Sequence, residues 1–164
     1  MDEADGRTRL LKQEAGMAIL MNALFSIGFF FLIFGWNPVG NRDLAIDWLP
    51  QTAGIAFLGT LIPSLITYAR IRRGKVVPAG PVPPIGRHLL RTIFVALLAV
   101  ALAGGAAALL TLWIAPDELA PLPTVLIKAA YGALLGRLLT PPMLRLVLGM
   151  PMLATAGVPR ASAA

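Results

Sequence analysis

The sequence predicts an all-α, polytopic membrane protein of four transmembrane helices. Three observations carry that expectation: four apolar stretches each long enough to cross a bilayer, a composition more apolar than that of a soluble domain, and basic residues gathered in alternate connections. Hydrophobic residues make up 57% of the chain and charged residues 13%, against roughly 45–50% and about 25% in an ordinary soluble domain. At about 20 residues per crossing, four helices use most of the chain, so one membrane domain spanning 1–164 is expected and no separate soluble one.

The first span is read over about 15–36, a run without charge in which Asn22 and Ser26 are the strongly polar side chains. Its apolar stretch is longer than the roughly 7–15 residues of a signal peptide and ends in Trp36-Asn37-Pro38, so it is expected to stay attached. The mixed-charge segment before it reads as a frayed tail or a short interfacial helix. The second span covers about 48–69. On it Thr60, Ser64 and Thr67 follow at i, i+4 and i+7, on one face, with Gly59 and Pro63 beside them. That face suits a polar helix contact or, functionally, the lining of a small hydrophilic path.

The third span, about 92–115, is rich in small residues from Ala99 through Gly104 and Gly105 to Ala108, which predicts close packing and a central place in the bundle. The fourth, about 122–139, is the least apolar, because it contains Lys128 and Arg137. A three-crossing chain with a surface helix is the alternative it leaves open. Gly132 and Gly136 form a small-xxx-small pair on this span, and Lys128 shares their stripe. Arg137, nine residues on and so about 900° around the helix, points the opposite way. Both cations could snorkel to headgroups, but Lys128 is the better functional candidate, with carbonyls, Asn22, hydroxyls, an anion or an inward-reaching Asp47 as its possible partners.

Orientation follows from Lys and Arg in the connections. The loop read as 70–91 carries Arg70, Arg72, Arg73, Lys75, Arg87 and Arg91, whereas the other two connections hold Arg42 alone. Both termini and the basic loop are thus expected in the cytoplasm of a bacterial-type inner membrane, with Arg7, Arg9, Lys12, Arg145 and Arg160 on the same side. Trp36, Trp48 and Trp113 at predicted outer ends, and Tyr68 at an inner end, read as interfacial anchors.

Sliding the chain over itself by 73 residues matches Pro50 with Pro123, Gly59 with Gly132, Thr67 with Thr140 and Arg72 with Arg145. The match suggests two helical hairpins repeated in parallel, related by an axis along the membrane normal.

Chemistry is sparse. There is no cysteine, and the single histidine, His88, falls in the basic loop, where a solvated or headgroup-facing role is expected and no metal or other cofactor. Gly74-Lys75 lacks the glycine spacing and strand context of a phosphate loop. The proline-dense loop is expected to run extended, and Arg70, Arg72, Arg73 and Lys75 to meet anionic lipid at the inner leaflet rather than nucleic acid. No Asp or Glu falls inside the predicted spans, which argues against a proton-coupled exporter. Without a nucleophile, base and acid that can be named together, no enzyme is expected. The expected function is a small noncatalytic interaction or accessory protein that forms a homo-oligomer or binds a larger membrane protein through its Gly and Ala faces. The alternative is an oligomeric channel or transporter for a small solute, anions among the candidates, lined by Asn22, Ser26, Ser64, Thr67 and Lys128.

Overall fold

The computed structural model describes residues 3–151; Arg160 and the alanine-rich tail, read as a disordered end, lie outside the described residues. Four helical spans account for most of it, each long and apolar enough to cross a membrane, which makes this a multi-pass membrane protein of the all-α class. The first is α1 (Glu3–Phe34) and the second α2 (Asn41–Arg72). The third runs as α3 (Ile85–Ala99), a π-helical turn at Val100–Gly104, and α4 (Gly105–Ile114). The fourth is α5 (Pro121–Val147).

The helices are longer than the apolar runs that announce them. At about 1.5 Å per residue, α1 and α2 are each about 48 Å long and exceed the roughly 30 Å hydrocarbon layer. The mixed-charge N-terminal segment is therefore the first turns of α1, and its Leu11 packs with Leu144 and Leu148. α5 continues through Pro141 and Pro142 to Val147. Residues 85–91, read as loop, are the start of α3.

Two-residue strands tie the connections at one end. β1 (Val39–Gly40) pairs antiparallel with β2 (Glu118–Leu119), and the Asn41 amide donates to the Asp117 carbonyl. The pairing sets the starts of α2 and α5 side by side, so these helices run parallel. They form the centre: α1 packs mainly on α5 and the third span on α2, each hairpin thus laying its first helix on the other hairpin's second. The third span is consequently peripheral rather than central. Its small residues approach α2 where Ala96 and Ala99 pack with Ala56, and at Gly104, where a Cβ would stand 3.0 Å from Thr52 Oγ1. Gly105 has no neighbouring element within contact distance of such an atom.

This is the arrangement two parallel hairpins give, but its register is not the one the sequence matches suggest. Across the central pair, Asp47 meets Lys128 and Gly59 meets Thr140, both 81 residues apart, and Thr52 meets Tyr131, 79 apart. A 73-residue slide would be wrong by about two turns, or about 11 Å. Matches among Leu- and Ala-rich helices arise cheaply; the β1–β2 pairing and the helix starts decide the register.

At the opposite end the proline-rich loop is tied down. The Ala79 amide donates to the Leu148 carbonyl, Tyr68 Oη donates to the Pro83 carbonyl, and Val76 packs against the Leu11–Leu144–Leu148 cluster. Gly149, at φ +63°, lets the turn after α5 press on Gly80, since a Cβ on Gly149 would lie 2.7 Å from Gly80 backbone atoms.

Candidate functional site: an ion pair between the central helices

Because α2 and α5 start together and run parallel, side chains on their second turns face one another. Asp47 lies six residues into α2 and Lys128 seven into α5. Lys128 is 0% exposed and Asp47 5%, and Lys128 Nζ donates to Asp47 Oδ2. Three rings stand around the ammonium: Phe30 and Phe34 of α1, with centroids at 5.7 and 5.4 Å, and Trp48 of α2 at 5.8 Å. Within about 6 Å, a ring face attracts a cation electrostatically.

The surroundings are hydrogen-bonded across all four spans. Trp48 Nε1 donates to Thr111 Oγ1 of α4 at 2.8 Å, and its indole meets the Tyr131 ring edge-on at 4.8 Å. Thr52 Oγ1 donates to the Trp48 carbonyl, which leaves Tyr131 Oη to donate to Thr52 Oγ1 at 2.6 Å. Gln51 Nε2 donates to Ser26 Oγ at 2.9 Å, and the Ser26 hydroxyl donates to the Asn22 carbonyl at 2.8 Å. Three buried polar atoms along this seam have no hydrogen-bond partner among the described residues: Asp47 Oδ1, Gln51 Oε1 and Asn22 Nδ2. Asp47 also lines a shallow groove of about 420 Å³ with Ile33, Phe34, Asp43, Ile46 and Pro50.

Of the residues the sequence singles out, Lys128 and Ser26 belong to this centre, and Asn22 borders it. Ser64 and Thr67 do not. Ser64 lies thirteen residues beyond Gln51, about 20 Å along α2, and both hydroxyls donate to carbonyls of their own helix, at Thr60 and Pro63. Gly132 and Gly136 do face a helix: a Cβ on Gly132 would come 2.7 Å from the Asn22 carbonyl oxygen, and one on Gly136 2.9 Å from that of Ala18. Arg137 is exposed, on the face away from Lys128. Arg70 bonds Glu14 at 2.6 Å, while Arg72, Arg73 and Lys75 are exposed at the same end.

Four sequence expectations need correction. Asp47 is inside α2, so the second span does carry a carboxylate, and the argument against proton coupling loses its basis. Trp48 is 4% exposed and roofs the ion pair, whereas Trp36 and Trp113 are 62% and 88% exposed as anchors would be. Tyr68 is 9% exposed, bound to the loop rather than offered to headgroups. His88 is 0% exposed in the first turn of α3, with its ring edge-on to Tyr68 at 5.6 Å and neither nitrogen partnered among the described residues. Sequence reading missed Trp48, Gln51, Thr52 and Tyr131. Asp47, Gln51 and Ile55 share one stripe at i, i+4 and i+8, a signal hidden by starting the span at Trp48.

Among the described residues no three His, Asp or Glu side chains gather as metal ligands. No protein-family model, curated protein or solved structure matches this chain.

Proposed function

We propose that this is a noncatalytic protein of a bacterial-type inner membrane, with both ends and the basic loop cytoplasmic, that acts by interaction with a second copy or a larger membrane protein. The ion pair is then the fastener between its two hairpins. The observation that carries the reading is where the polar side chains are used. Lys128, Asp47, Gln51, Ser26 and Thr52 bond to one another or to backbone inside the bundle, while Leu, Ile, Phe and Trp side chains of all four spans face outward. The orientation is supported by ten Lys and Arg between Arg7 and Arg145 at the end opposite the β1–β2 pairing, against Arg42 at the other. Native mass spectrometry from mild detergent tests it: a discrete oligomer or a stoichiometric membrane partner is expected, and a monomeric, partner-free species overturns it.

The unpartnered Asp47 Oδ1 beside an open groove favours a second reading, transport. With Lys128 already paired, the centre is no free cation, and this reading turns from an anionic solute to a proton or small cation. Flux in proteoliposomes that disappears in Asp47→Asn supports it; absence of any such flux leaves the interaction reading alone.

A further inference from the structure

We infer that the groove between α1 and α2 is a binding site for one anionic phospholipid, with its phosphate on Arg70 and one acyl chain along the helices. The two helices of the first hairpin touch each other sparingly, because α1 is held by α5. What remains between them is a groove of about 530 Å³ that opens sideways. Its α2 wall is Leu58, Ile62 and Ile66, spaced by four; the next step of that stripe is Arg70. Its α1 wall runs from Phe25 through Met21 and Met17 to Glu14. Glu14 to Phe25 is eleven residues, about 16 Å of helix, close to the half-thickness of a roughly 30 Å hydrocarbon core. The groove is therefore as long as one leaflet is deep, apolar along its length save for Asn22, and bounded at its mouth by the Arg70–Glu14 pair, with the guanidinium the more exposed of the two.

The mouth matches a phosphodiester. Arg70 gives one N–H to Glu14, yet its side chain is 38% exposed while that of Glu14 is 13% exposed, so the carboxylate lies beneath the guanidinium and steadies it. The remaining fork of N–H donors fits two phosphate oxygens. Arg72, Arg73 and Lys75 follow directly and add to the local positive potential. Gly54 keeps the far end open, since a Cβ there would press on the Phe25 ring at 3.3 Å.

This inference depends on the chain crossing the membrane, not on the role proposed for Asp47 and Lys128, so either can fail without the other. The test is native mass spectrometry of delipidated full-length protein titrated with phosphatidylglycerol or phosphatidylcholine of identical chains. One phosphatidylglycerol per chain is expected, held about fivefold more tightly than phosphatidylcholine for the one cation engaged. Arg70→Ala should abolish that preference, and Leu58→Trp should expel the lipid with the charge intact, helix content by circular dichroism being unchanged in both. Equal binding of the two lipids, or phosphatidylglycerol binding unaltered in both variants, overturns the assignment. So does loss of a dimer rather than of lipid in Leu58→Trp, which would make the groove a seat for a second copy.

Discussion

Lys128 and His88 are both 0% exposed, yet their surroundings are opposite. Lys128 has a carboxylate partner, three rings and a hydrogen-bonded shell drawn from every span, while His88, toward the other end, has two unpartnered nitrogens and the edge of Tyr68. The difference follows from what each can do without its charge. An imidazole is readily neutral near pH 7, and an unmade hydrogen bond to a buried neutral group costs about 1–3 kcal/mol. A buried charge without a partner costs several kcal/mol, which the bundle meets by building its most connected region around the ammonium.

The comparison breaks most visibly at the ion pair. Lys128→Met leaves Asp47 buried alone and is expected to destabilise the bundle by about 3–5 kcal/mol, measured by unfolding in mixed detergent micelles. Adding Asp47→Leu should recover most of that loss, and a double variant as unstable as the single one would show that the pair does not act as a unit. Gly132→Ala comes next. Its new Cβ meets the Asn22 carbonyl, a backbone atom that moves only with α1, so a loss of about 1–3 kcal/mol is expected, whereas Gly105→Ala, whose Cβ would meet only the Val100 carbonyl oxygen at an ordinary 3.8 Å, should be neutral or slightly stabilising.

Trp48→Phe keeps a ring over Lys128 but removes the donor to Thr111, for an expected loss of about 1 kcal/mol in the same assay. The smallest effect should be at His88. Replacing an unsatisfied polar ring by an apolar side chain is close to neutral, so His88→Leu is expected within about 1 kcal/mol of the parent and on the stabilising side. A large loss there would mean that His88 has a partner in the membrane after all, and the contrast with Lys128 would fall.

How much of the site could be read in advance differs by residue. Lys128 was legible because its stripe carries Gly132 and Gly136, and small residues mark a face turned to protein. Asp47 was legible only as one of several partners open to Lys128 and was placed outside the span, because a hydropathy reading ends a span at its last apolar residue, while the helix already runs for seven residues before Trp48. The same truncation placed His88 in a loop and Tyr68 and Trp48 at an interface. Hydropathy reports where the hydrocarbon is, and helices extend past it as far as their backbone hydrogen bonds do.

The sequence by itself determined the solvent, the number of crossings and the separation of basic from acidic connections. Each depends on runs of 20 or so side chains, whose transfer free energies add regardless of neighbours. Only the tertiary structure decided that α2 and α5 form the centre, that their register is near 80 rather than 73, and that Asp47 meets Lys128. Lipid gives helices no apolar drive toward one partner over another, so those choices fall to a two-residue strand pairing, a few glycine contacts and one pair of charges that must find each other.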